Sequence, residues 1–78
     1  MLANKQQIVA AIKQIVESPA AIGEEGYTPY DGRKCVKIMT QNEKWKVQNF
    51  VNLLAQQISN NITVKFGRVV VTEIKVQL

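Results

Sequence analysis

The chain has 78 residues, a formal net charge of +4 and 46% hydrophobic residues. This length accommodates one small domain (residues 1–78), and the composition is that of a folded chain. It contains one cysteine, Cys35, and no histidine, which excludes an intrachain disulfide and the usual sets of zinc ligands. No apolar run approaches the roughly 20 residues that cross a bilayer, and the first residues lack a secretory pattern. We therefore expect a cytoplasmic protein without a metal or a cofactor.

The first predicted element is an amphipathic helix over residues 4–17. Asn4 is a candidate N-cap, and Gln7 stands three residues later, where the second member of a capping box belongs. Five apolar residues recur at helical spacing on one face, namely Ile8, Val9, Ile12, Ile15 and Val16. Pro19 ends this helix because it lacks an amide hydrogen and disfavours helical geometry in the preceding residue. Residues 18–26 follow as a loop.

A β-hairpin is predicted next, because Asp31-Gly32 is a dipeptide that strongly favours a two-residue turn. Such a turn pairs Tyr30 with Arg33 and Tyr27 with Val36. One face of this hairpin then carries Tyr27, Val36 and Ile38, and the other carries Tyr30, Arg33, Cys35, Lys37 and Met39. Residues 33–39 are predicted to be a strand. Pro29 cannot donate to a ladder, so residues 27–30 are either an edge strand or a loop, and this choice stays open.

A second helix is predicted after Thr40-Gln41-Asn42-Glu43, which has the pattern of a capping box. Five apolar residues then recur at i, i+3, i+4, i+7 and i+11, namely Val47, Phe50, Val51, Leu54 and Ile58. Ser59-Asn60-Asn61 ends this helix. Trp45 lies in its first turn, off the apolar face. It either folds back onto the hairpin as core or serves as an interface anchor, since tryptophan is common in binding hot spots.

The C-terminal residues predict a second hairpin. Residues 62–66 alternate, which places Ile62, Val64 and Phe66 on one face. Residues 69–78 are rich in β-branched side chains, and every second one is apolar or threonine: Val70, Thr72, Ile74, Val76 and Leu78. A two-residue turn pairs Phe66 with Val69, and a three-residue loop pairs it with Val70. We prefer the longer loop because register follows the buried face.

These elements predict an α+β fold in the order αββαββ. The simplest architecture is two helices packed on one face of a three- to four-stranded antiparallel sheet. Antiparallel sheets commonly bury one face and leave the other in water. The second face of this sheet is therefore expected to be free for a partner.

Little in the sequence favours catalysis. Cys35 has no histidine to activate it as a nucleophile. Glu24, Glu25 and Asp31 lie in or beside glycine-containing loops, where solvated carboxylates are the simpler interpretation. The chain has no phosphate-binding loop, dinucleotide fingerprint or metal-ligand spacing. We expect a module that is not an enzyme and has no small-molecule substrate.

Two binding functions stay open. Exposed β-branched residues on a poorly protected strand favour association with a second copy or with another protein. Alternatively, the basic residues favour RNA or single-stranded DNA, because eight basic and two acidic residues follow from Arg33 onward. Protein association is preferred. The candidate contact residues for both are Tyr30, Arg33, Lys37, Trp45, Lys65, Val69, Val71 and Lys75.

Overall fold

The computed structural model describes residues 2–19, 21–23, 27–31, 34–68 and 71–78, with the backbone alone at positions 30 and 31. Two helices and four strands follow one another in the predicted order αββαββ, and the α+β class is confirmed. They are α1 (Lys5–Val16), β1 (Thr28–Asp31), β2 (Cys35–Thr40), α2 (Lys44–Gln57), β3 (Ile62–Phe66) and β4 (Thr72–Gln77). Neither described helix has the length and apolar character that crossing a bilayer requires.

The start of α1 is the predicted capping box. The Asn4 side-chain oxygen accepts a hydrogen bond from the Gln7 backbone N at 2.9 Å, and the Asn4 backbone N donates to the Gln7 side-chain oxygen at 2.9 Å. These two bonds satisfy amides that a helix start leaves without partners. The buried face of α1 is Ile8, Ala11, Ile12, Ile15 and Val16.

The predicted capping box of the second helix is wrong. Thr40 belongs to β2 instead, where it pairs with Thr72 of β4, and its hydroxyl oxygen accepts hydrogen bonds from the backbone and side-chain nitrogens of Asn42. These hydrogen bonds hold the turn that follows β2. The helix α2 then begins at Lys44, with Glu43 as its N-cap. A threonine with a glutamate three residues later is compatible both with a capping box and with a strand end that leads into a turn. The pairing of Thr40 in the sheet decides between these two arrangements.

The sheet is antiparallel in the order β1-β2-β4-β3, so β2 and β4 are central and β1 and β3 are the edges. The choice left open for residues 27–30 is thereby settled, because Thr28–Asp31 forms an edge strand. Pro29 is tolerated there because an edge strand has one side without ladder bonds.

Both hairpin registers differ from the predicted ones. In the first hairpin, Tyr30 pairs with Lys37 instead of Arg33, and Asp31 pairs with Val36. The two-residue Asp31-Gly32 turn is therefore wrong, since a longer connection joins the strands. In the second hairpin Phe66 pairs with Thr72 instead of Val70, and five residues separate them.

One apolar core lies between the helices and the sheet. Its fully buried members come from both helices and from alternate residues of the two central strands, with Ile22 from the loop after α1. They include Ile8, Ile12, Ile22, Val36, Ile38, Val47, Phe50, Leu54, Ile74 and Val76. Both helices therefore cover the same face of the sheet, as predicted, and residues of the opposite face remain half-buried or exposed.

Candidate functional site

The face of the sheet turned away from the helices, here called the uncovered face, is mainly polar. Among the described side chains it comprises Thr28, Cys35, Lys37, Met39, Thr63, Lys65, Glu73, Lys75 and Gln77. Strand pairing orders these residues in rows across the sheet. One row contains Lys37, Lys75 and Thr63, and the next contains Met39, Glu73 and Lys65.

The uncovered face brings together three of the predicted contact residues, namely Lys37, Lys65 and Lys75. The Tyr30 backbone pairs with Lys37, which places this residue in the same row. Arg33 and Val69 lie outside the described residues. Val71 stands just before β4 and is 39% exposed.

Glu73 compensates part of the positive charge on this face. Its Oε1 lies 3.4 Å from the Nζ of Lys37 and 3.4 Å from the Nζ of Lys75. Those two lysines are directly opposite each other on β2 and β4, an arrangement that is unfavourable between like charges. Desolvation by the neighbouring residues raises the pKa of Glu73, but hydrogen bonds and charge attraction from the two lysines outweigh it and hold the pKa below its ordinary value. The glutamate therefore stabilises the pairing of the two central strands.

Trp45 lies on the helical layer, away from the three lysines. It is 60% exposed and donates a hydrogen bond from its ring nitrogen to the Glu43 carboxylate, so the interpretation of Trp45 as core is wrong. The ammonium group of the neighbouring Lys46 lies 5.6 Å from its ring centroid. Gln48 and Asn52 follow Trp45 at i+3 and i+7, which puts all three on one side of α2.

This side of α2 adjoins the edge strand β3. A shallow groove between the two elements is lined by Gln48, Val51, Asn52, Val64 and Phe66. We call these five residues together with Trp45 the α2–β3 flank. The Lys44 ammonium lies 4.9 Å from the centroid of the Phe66 ring, so the start of α2 stands over the end of β3.

Phe66 is an exposed aromatic residue that was not among the candidates predicted from the sequence. Alternation placed it on the buried face with Ile62 and Val64, and the residue is nevertheless 40% exposed. It is the last residue of the edge strand β3, and no described strand lies on the outer side of β3. The only signal in the sequence is its position directly before Gly67 at the end of the alternating stretch.

Cys35 is half-buried on the uncovered face and pairs with Gln77 of β4. Among the described residues, no three His, Cys, Asp or Glu side chains gather closely enough to hold a metal ion.

The chain matches no protein-family model, no curated protein and no solved structure.

Proposed function

We propose that this protein is a protein-binding module, not an enzyme, and that its partner docks along the α2–β3 flank. The partner is a second copy of the chain or another protein. The observation that carries this proposal is the exposure of two large aromatic side chains, Trp45 and Phe66. Both lie beside the outer side of the edge strand β3, the side on which no described strand pairs with it. The single unpaired cysteine supports placing this module in the cytoplasm.

Trp45 suits the role of an anchor. Its indole ring is large, and covering the exposed part with a partner stabilises a complex by about 3 kcal/mol. Tryptophan and other aromatic residues dominate binding hot spots, which lie at the centre of an interface within a ring of polar contacts. Gln48 and Asn52 beside Trp45 are exposed or line the groove, and their amides supply such contacts.

Cross-linking in the native cells tests this proposal. A tagged copy is cross-linked, the bound proteins are identified by mass spectrometry, and the linked sites are mapped. We expect links on α2 and β3, and we expect Trp45→Ala and Phe66→Ala each to reduce the captured partner at least fivefold. Leu2→Ala is the matched control, because Leu2 is 64% exposed but lies at the other end of α2, beside Ile58. Equal capture by all four baits would contradict the proposal.

RNA or single-stranded DNA is the second candidate, on the observation that Lys37, Lys65 and Lys75 share the uncovered face. Phosphate contacts from lysines produce binding that weakens steeply with salt. Two of these three lysines contact Glu73, which lowers the field available to a phosphate. We therefore expect a mixed RNA and DNA pool to show no shift at low salt, whereas a shift removed by Lys65→Ala would favour this second candidate.

A further inference from the structure

The outer side of β3 presents a regular set of backbone groups. The Gly67 backbone N donates to the Val71 carbonyl at 3.0 Å, and the Gln77 backbone N donates to the Asn61 carbonyl at 2.9 Å. In antiparallel pairing, residues that bond one neighbouring strand alternate with residues that face the other side. The odd-numbered residues of this segment therefore bond β4. The N–H and C=O groups that turn outward belong to Ile62, Val64 and Phe66.

We propose that a second copy of this chain occupies this edge, with its β3 antiparallel to the first and a two-fold axis at Val64. The inference rests on the proposed function and names the partner. Val64 then faces Val64 of the second copy, and Ile62 faces its Phe66. Ile62, Val64 and Phe66 direct their backbone groups outward, so these three pairs form six main-chain hydrogen bonds between the two strands.

Side chains on both faces of β3 suit the same register. On the helix side, Val64 meets Val64 of the second copy, and each Ile62 meets the Phe66 of the other copy. A row of apolar side chains thereby becomes covered. On the uncovered face, Thr63 meets Lys65 of the second copy, which keeps the two lysines from facing each other directly. Cross-strand pairs of this kind stabilise antiparallel sheets, and opposed like charges destabilise them.

The other edge of the sheet does not offer the same surface. The Leu78 backbone N donates to the Lys34 carbonyl at 2.9 Å, so the even-numbered residues of β2 bond β4 and the odd-numbered ones bond β1. Since Tyr30 pairs with Lys37, residue 30 of β1 turns inward and Pro29 turns outward. Proline has no N–H to offer, which disfavours strand addition there. Pairing of two β3 edges therefore gives a closed two-fold dimer instead of a growing filament.

Sedimentation equilibrium of the purified chain over a wide concentration range measures this association. We expect the mass to rise from 8.8 kDa toward twice that value. Amide hydrogen exchange provides an independent measurement, because exchange at Ile62, Val64 and Phe66 should slow as the dimer forms. Exchange at Thr63 and Lys65, whose amides bond β4, serves as the internal control.

Three variants test the edge and the register. Val64→Pro removes an outward N–H without removing a bond to β4, and it should weaken the dimer about tenfold or more. Thr63→Glu leaves the backbone intact, places a carboxylate beside Lys75 of its own chain, and faces Lys65 of the second copy. It should tighten the dimer roughly fivefold, and the double variant Thr63→Glu/Lys65→Glu should lose that gain because two carboxylates then face each other. Circular dichroism checks that every variant folds.

A wild-type chain and a Thr63→Glu variant that both stay monomeric at all concentrations would overturn this inference. A dimer that responds to neither Val64→Pro nor Thr63→Glu would overturn it as well, because the contact then lies elsewhere. In either case the proposed function stands if cross-linking still maps another protein onto the α2–β3 flank. It fails separately if the Trp45 and Phe66 variants capture as much as the wild type.

Discussion

The two edge strands of the sheet differ in what they present to a neighbouring chain. At the outer side of β1, Pro29 supplies a carbonyl and no N–H, whereas the outer side of β3 carries both groups on each outward residue. An exposed row of such groups is a template for another strand. Pro29 thus protects the β1 edge of the sheet against strand addition, and the β3 edge remains able to pair with another strand.

The edge strand β3 is also fixed at both of its ends. Asn60, directly before it, is buried and bonds the N-terminal segment and β4 through its side chain. Gly67, directly after it, packs closely on the Val71 backbone. A strand that is already ordered loses less conformational entropy when it binds. Changes at Asn60 and Gly67 should therefore disrupt the edge strand β3 and leave the edge strand β1 in place.

Asn60→Ala should have the largest effect. Its side-chain oxygen accepts from the Ala3 backbone N at 2.8 Å, and its side-chain nitrogen donates to the Ala3 carbonyl at 3.1 Å and the Gln77 carbonyl at 2.7 Å. Removing all three bonds leaves part-buried backbone groups without partners and should lower the free energy of unfolding by about 3 kcal/mol. Urea denaturation measures this loss.

Asn61→Ala is the matched control for that substitution. Asn61 is exposed, and its contribution to the ladder is a backbone carbonyl that accepts from Gln77, which alanine retains. We expect a change within about 0.5 kcal/mol. If the two variants were equally stable, the Asn60 side chain would not hold the strand.

Gly67→Ala should have the second largest effect. A methyl group at this position would lie 2.2 Å from the Val71 carbonyl oxygen, so the backbone of the connection must move. We expect a loss of about 1–3 kcal/mol in the free energy of unfolding, with faster amide exchange in β3 than in β1. At Gly23 the same methyl group meets nothing within 4 Å. Gly23→Ala should therefore leave stability unchanged or raise it slightly, and equal destabilisation by both variants would argue against the close contact.

The sequence predicted the faces of the sheet and failed on the registers, for one physical reason. The pairing of Phe66 shifted by two residues, from Val70 to Thr72, and the pairing of Tyr30 shifted by four, from Arg33 to Lys37. Side chains and ladder bonds both alternate with a period of two. Moving the pairing by two or four residues preserves both patterns. Neither pattern can therefore show, from the sequence alone, which of these registers forms.

The candidate site was only partly predictable, because it depends on where the helices stop covering the sheet. Alternation correctly placed Lys37, Lys65 and Lys75 on one face. The off-stripe position of Trp45 left both a core and an exposed placement open, and the structure shows the exposed one. The exposure of Phe66 and the position of α2 over β3 depend on the strand order. Sequence periodicity carries no information about that order, since it does not say which strand is at the edge.

Pro29→Val is expected to act on association more than on stability. Valine would restore an outward N–H to β1, so both edges of the sheet could then pair. We expect light scattering to show species larger than a dimer at high concentration, with the free energy of unfolding changed by less than about 1 kcal/mol. The same substitution combined with Val64→Pro should reduce those species, since the β3 edge is then blocked. An unchanged mass distribution would mean that Pro29 does not protect this edge.

The smallest expected effect concerns the central strands between the two edges. Because the pKa of Glu73 is lowered in the folded protein by Lys37 and Lys75, its ionised form is favoured by folding. The resulting stabilisation is present above the ordinary glutamate pKa, roughly pH 4, and is lost as the pH falls through the lowered value. Glu73→Gln should therefore be less stable than the wild type at neutral pH and approach it in acid, measured by thermal unfolding between pH 2 and pH 7. Glu17→Gln, at an exposed carboxylate just after α1, is the control. If the stability difference between Glu73→Gln and the wild type stayed the same in acid, charge would not be its cause.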